Sequence, residues 1–142
     1  MIRVLIVDDS PTTRQALQAI LQSDPEIIVV GQAVDGLDAL DLTMELKPDV
    51  ITMDINMPRM NGNVATQTIM SKIPTPILVV TTVSRQEMLY EGFDILRSGA
   101  LDIVQKPSAT TPEGMEAIRA ELITKVKAIA EVKLDRKTIA QV

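Results

Sequence analysis

The chain has 142 residues, room for one domain with a short tail, and a domain of that size hides roughly two thirds of its unfolded surface without disulfides or structural metal. It contains no cysteine and no histidine, which excludes a thiol nucleophile, Cys- or His-ligated zinc, a His general base and a Ser-His-Asp triad. The formal net charge is −5, from 14 basic and 19 acidic residues, and Tyr90 and Phe93 are the only aromatics, so neither nucleic acid nor an anionic membrane surface is an expected partner.

No apolar run approaches the ~20 residues needed to span a bilayer. The opening "MIRVLIVDD" meets acids too soon for a signal sequence, and the chain reads as soluble and cytoplasmic.

The first predicted strand is "IRVLIV" (2–7), a run of β-branched and apolar residues suited to a strand covered on both faces. Ser10 then reads as an N-cap with Pro11 at the first helical position, and Ala16, Leu17, Ile20 and Leu21 form an apolar stripe. A second strand follows at 27–33. Asp35 caps a second helix whose predicted inner face is Leu37, Leu40 and Met44, stopping at Lys47-Pro48. The third strand is expected at 49–54 and the third helix at about 62–72. The fourth strand, "PILVVTT", occupies 76–82. Ser84 with Glu87 forms a capping box for a fourth helix with Leu89, Phe93 and Leu96 inward and Gly99 as its stop. The fifth strand is placed at 100–104. A long last helix runs from Thr111-Pro112 to about Val132, with Met115, Ile118, Leu122, Val126 and Ile129 on one face. Five strands alternating with five helices predict an α/β fold with a doubly wound parallel sheet. Met53, Met57, Met60 and Met70 read as packing residues.

In such sheets ligands gather at the carboxyl ends of the strands, near the point where strand order reverses. Asp8 and Asp9 end the first predicted strand, Asp54 the third, Thr81 and Thr82 the fourth, and Lys106 follows the fifth. Three carboxylates within ~5 Å repel by roughly 3 kcal/mol per pair at an effective dielectric of 20. Either one acid keeps its proton or a cation settles among them, and an oxygen-only donor set favours Mg2+ or Mn2+ over zinc. A carboxylate beside such a cation, Asp54 here, can attack phosphorus to form an acyl phosphate. Lys106 and a threonine hydroxyl would then meet the phosphoryl oxygens.

"VLIVDDSPTTR", "DVITMDINMPRMNG", "PILVVTT" and "SGALDIVQKP" occur in the order found in the receiver domain of bacterial two-component response regulators, which this sequence resembles over about residues 1–130. The resemblance implies a flavodoxin-like (βα)5 fold and a receiver at 1–130, with 131–142 a tail or the start of a linker. It makes Asp54 the phosphoacceptor for a histidine kinase and Asp9 a direct Mg2+ ligand. Asp8 would act through a water and the Asn56 backbone carbonyl would add a further metal oxygen. Thr81 becomes the switch hydroxyl and Lys106 the phosphate-pairing lysine, followed by a cis bond to Pro107. The output surface would be the fourth helix, fifth strand and fifth helix, with Tyr90, Arg97, Asp102 and Gln105 as contacts. The same face could carry a homodimer.

A finer resemblance is to the N-terminal receiver of the chemotaxis protein-glutamate methylesterase, carried by "IRVLIVDDSPTTRQ", "LQSDPEIIVVGQAVDG", "KPDVITMDINMPRMNG" and "GALDIVQKP". It implies a C-terminal esterase domain in a longer parent chain, with a single-domain response regulator as the alternative. Two positions depart from the family pattern: Ile103 stands where an aromatic is usual, and Asn61 where Asp is common, a neutral loop change that keeps Gly62 for the turn. Val83, two residues after Thr81, would be an apolar side chain beside the phosphoryl site and slow hydrolysis. From another class, a small Mg2+-dependent aspartyl-phosphate hydrolase would need an acid two residues after its nucleophile. Asn56 fills that position and cannot carry the proton.

Overall fold

The computed structural model describes residues 1–82, 93–107 and 111–132. Among these residues five strands alternate with five helices: β1 (Ile2–Val7), α1 (Pro11–Gln22), β2 (Ile27–Ala33), α2 (Gly36–Leu46), β3 (Val50–Met53), α3 (Gly62–Lys72), β4 (Ile77–Thr81), α4 (Phe93–Arg97), β5 (Asp102–Gln105) and α5 (Pro112–Ala130). The strands form one sheet, ordered β2-β1-β3-β4-β5 and parallel throughout. The order reverses at β1, between β2 and β3, and that is where a ligand crevice is expected.

Alternate side chains of each strand feed two cores, as the period of two demands. Val4 and Ile6 of β1 meet Leu17, Ile20 and Leu21 of α1 and Leu122, Ile123, Val126 and Ile129 of α5. Leu5 and Val7 meet Ala39 of α2, Ala65 and Ile69 of α3 and Ile95 of α4. Each fully buried aliphatic side chain stabilises the fold by about 1.5–3 kcal/mol.

The start signals at Ser10-Pro11 and Asp35 and the stop at Gly99 operate as read. The Ser10 side chain accepts from the Thr13 N–H with Pro11 in the first turn, and Asp35 accepts from the Asp38 N–H. Gly99 has φ +122, which glycine adopts freely. Its N–H donates to the Leu96 carbonyl and that of Ala100 to the Ile95 carbonyl, the paired bonds of a Schellman stop.

Several sequence expectations need correction. In α2 Leu40 packs against the second core as expected, but Leu37 and Met44 are exposed, and the fully buried residues are Gly36, Ala39 and Thr43. The cause is Gly36, where a Cβ would lie 2.4 Å from the Met60 carbonyl oxygen; this close approach turns the small-residue face inward. In α4 it is Ile95, not Leu96, that enters the core. In α5 Met115 is exposed and Ile123 joins the buried face. The first turns of α5 flank Gln105–Pro107, with Ala117 and Ile118 facing that groove, and the core contact begins at Leu122. The fifth strand begins at Asp102 because Ala100 and Leu101 are committed to closing α4 and to the Ile77 carbonyl. No cis peptide bond occurs among the described residues, so the expected cis Lys106–Pro107 bond is not found. The trans isomer, intrinsically favoured by about 0.5–1 kcal/mol, already delivers Lys106 to the site. Val83, Ser84, Glu87, Leu89 and Tyr90 lie outside the described residues, as does the side chain of Phe93.

Candidate functional site

The sheet register brings the sequence-distant candidates to one edge. Val7, the last residue of β1, pairs with Ala33 of β2 and with Met53, the last residue of β3. The next residues, Asp8 and Asp54, are therefore neighbours: the Asp8 N–H donates to the Ala33 carbonyl (3.1 Å) and the Asp54 N–H to that of Val7 (3.0 Å). At the other side Thr81 pairs with Gln105, and the Lys106 N–H donates to the Thr81 carbonyl (2.9 Å).

Carboxylate oxygens of Asp8, Asp9 and Asp54 lie within 4.8 Å of one another, with Asp8 and Asp54 buried and Asp9 exposed. Lys106 Nζ sits 2.8 Å from Asp8 Oδ2 and 3.1 Å from Asp54 Oδ2. Asp54 Oδ1 accepts from the Ile55 N–H and Asp8 Oδ1 from the Ser10 N–H. Thr81 is fully buried at the same edge, and Thr82 is exposed.

Burial first, and then the charge of Asp8, push the Asp54 carboxyl above the usual carboxylate range, against the pull of Lys106 and the Ile55 N–H. Burial is also the largest single influence on Lys106 and pulls its pKa down. The close contacts to Asp8 and Asp54 together outweigh it, so the ammonium titrates above its ordinary value. One lysine thus faces two buried acids with a third at the rim.

The donor set fits a hard divalent cation. All three groups are carboxylates whose oxygens converge, and the single ammonium of Lys106, 2.8 Å from Asp8 Oδ2, offsets only part of their charge. Such an excess of anionic oxygens is where a divalent cation would settle.

The loops around the cluster are held by further residues, of which Arg14 and Arg59 were not singled out from sequence. Arg14 of α1 donates from Nη1 to the Asp8 carbonyl (2.7 Å) and from Nε to Gln32 (3.1 Å). Arg59, in the loop after Asp54, ion-pairs with buried Asp35 at 2.6 Å. Gly62 opens α3 directly against the Asp54 carbonyl. Among these, the Asn61-Gly62 pair carries a readable sign of a tight helix start, and Asn61 indeed caps α3 through the Val64 N–H. Neither arginine announces its partner locally. Ile103 is partly buried against the second core, so a compact aliphatic group fills the position where an aromatic was expected.

A doubly wound parallel sheet with an acidic, lysine-bridged pocket at its switch point defines a small class of regulatory α/β domains. The sequence matches the response regulator receiver domain over residues 4–119, and the chain belongs to that family. It is 47% identical over 138 residues to a protein-glutamate methylesterase/protein-glutamine glutaminase of Syntrophus aciditrophicus and 42% identical over 137 residues to one of Methanospirillum hungatei. In both alignments 96% of this chain is covered and 39% of the relative, so the chain spans about two fifths of those curated relatives. Among solved structures it is similar to the response regulator domain of Thermotoga maritima CheB, with a TM-score of 0.84 and 40% identity over 94% of this chain and 99% of that one. It is also similar to a chain of the CheX–CheY–BeF3–Mg2+ complex of Borrelia burgdorferi, with a TM-score of 0.75 and 27% identity over 93% and 90%. The fold and family are those of a two-component receiver of the CheB type.

Proposed function

We propose that Asp54 accepts a phosphoryl group from the phosphohistidine of a histidine kinase, in a pocket whose acids hold Mg2+. The observation that carries this reading is the placement of buried Asp54 between Asp8 and Lys106 at the switch point, with Lys106 Nζ 3.1 Å from its Oδ2. An Asp54 carboxylate oxygen attacks phosphorus, the P–N bond to the donor imidazole breaks, its electron pair stays on that nitrogen, and an acyl phosphate remains. Lys106, kept protonated by its two acids, pairs the phosphoryl oxygens and holds Asp54 ionised although burial favours its proton. Thr81, buried at the same strand end, is the proposed hydroxyl partner of a phosphoryl oxygen.

Asp8, Asp9 and Asp54, with the Asn56 backbone carbonyl, are the proposed ligands. When bound, Mg2+ would offset the charge of the acids and of the incoming phosphoryl group. The presence of BeF3 and Mg2+ together in the Borrelia complex supports the same pairing here. The methylesterase relatives support a longer parent protein in which this domain controls a C-terminal esterase. No helix among the described residues is long and apolar enough to cross a membrane, which accords with work in the cytoplasm.

The test is an intact-mass measurement after incubation with Mg2+ and acetyl phosphate. A phosphoryl adduct that disappears in Asp54→Ala supports the reading. An adduct that survives that substitution, or none on the unaltered chain, overturns it.

A further inference from the structure

The loop from Asp54 to Gly62 contains Asn56, whose carbonyl is a proposed cation ligand, and it is fastened by the turn between β2 and α2. Arg59 Nη2 and Nε both reach Asp35 Oδ2 at 2.6 Å. Asp35 is buried, and its other oxygen, Oδ1, caps α2 by accepting from the Asp38 N–H. The Gly36 N–H donates to the Met60 carbonyl (2.9 Å), and the Met60 side chain fills the space that a Cβ at Gly36 would need. At Arg59 the backbone is left-handed, φ +63, a conformation costly for a residue with a Cβ. A chain holding a strained arginine five residues after its reactive acid needs something to fix it there, and the only ion pair of Arg59 among the described residues is with Asp35.

We infer that Asp35 and Arg59 form a clamp that positions the loop after Asp54 for cation binding and phosphoryl transfer. Neither residue belongs to the acidic cluster. Both act through the loop, as positioning residues. The clamp sets the depth of the loop over the strand ends, and with it the place of the Asn56 carbonyl. The inference rests on the proposed Mg2+ seat and adds to it a remote pair that determines the seat's affinity.

The two partners permit substitutions that separate positioning from folding. Asp35→Asn keeps a good helix cap while removing the charge. Arg59→Gly removes the guanidinium while relieving the left-handed backbone. In calorimetric Mg2+ titrations each single variant is expected to bind about 3–10-fold more weakly, less than the roughly 10–100-fold usual for groups bonded directly to metal ligands, because this pair acts through the loop backbone. The double variant is expected to be no weaker than the worse single one, because the same clamp is already broken. Phosphorylation by acetyl phosphate should slow in parallel. In metal-free protein the amides of Gly36 and Gly62 should exchange faster in both variants.

Mg2+ affinities within about twofold of the unaltered chain in both single variants, with unchanged exchange at Gly36 and Gly62, overturn the clamp. Losses that simply multiply in the double variant overturn it as well. If the unaltered chain binds no Mg2+, the function reading fails by itself, and amide exchange in the metal-free protein still decides the clamp.

Discussion

The Gly62 α-carbon lies so close to Asp54 that a Cβ at position 62 would stand 2.0 Å from the Asp54 carbonyl oxygen. The helix that follows the reactive acid thus begins in direct contact with its backbone, and the Gly62 N–H donates to the Ile55 carbonyl at 2.7 Å. Backbone cannot yield as a flexible side chain does. Gly62→Ala is therefore expected to cost about 3 kcal/mol, the upper part of the usual overpacking range, and to slow phosphorylation by shifting Asp54. Urea unfolding and an acetyl phosphate time course check the two effects, and a variant of unchanged stability would show that α3 can slide away.

Lys106 is the one cation that reaches both buried acids among the described residues. Replacing it by Met leaves Asp8 and Asp54 facing each other unpaired, which should lower stability at pH 7 by about 2–4 kcal/mol. The sign with pH follows from linkage. The Lys106 pKa is raised above 10.5 in the fold, so its contribution is fully present below 10.5 and is lost as pH rises through the folded value. Unfolding curves of the two proteins should converge on strongly alkaline titration. They should also converge on the acid side, as the unpaired carboxylates of the variant take up protons.

Much of this arrangement was legible because local chemistry and global fold agree. Ser10-Pro11, Asp35 and Gly99 are short-range signals, each satisfied within a few residues. The unbroken apolar strands and their alternation with helices dictated a parallel sheet, and parallel strands must deliver Asp8, Asp54 and Lys106 to one edge. Side-chain facing in α2 was only partly legible: Leu40 packs against the core while Leu37 and Met44 are exposed, and the tight approach of Gly36 to Met60, residues distant in the chain, decides the rotation. Leu96 misled for a related reason, since the closure of α4 fixes Ile95 inward. The second role of Asp35 was hidden too. Its spacing to Asp38 explains a cap, and nothing near it in sequence points to Arg59.

Asp35 offers an independent test in acid. The Arg59 hydrogen bond first, then the Asp38 N–H, hold its carboxyl below the ordinary 3.8, against burial. A depressed folded pKa means stability that is present above 3.8 and lost as pH falls through the folded value. Asp35→Asn should therefore melt below the unaltered protein at pH 7, and the gap should narrow only once pH drops under 3.8. Thermal scans from pH 7 to pH 2 measure it. A gap that closes well above pH 3.8 would assign the loss to something other than the carboxylate.

Asp54 runs the other way. Its carboxyl is raised, by burial and by the Asp8 charge, so the fold binds its proton more tightly than the unfolded chain does. Ionised Asp54 consequently subtracts stability above 3.8, increasingly as pH rises to the folded pKa and constantly beyond it. Asp54→Asn is expected to melt higher than the unaltered protein at pH 7 without divalent ions, with the difference shrinking as pH falls toward 3.8. Mg2+ should reverse the order, because a ligand that binds only the folded state stabilises it by RT ln(1 + [L]/Kd), and the variant has lost one of the three carboxylates. Scanning calorimetry across pH, with and without Mg2+, reads both effects. If Asp54→Asn instead melts lower than the unaltered chain at pH 7 in the absence of metal, pairing with Lys106 more than offsets the cost of keeping this acid charged, and the resting pocket is not poised for a cation.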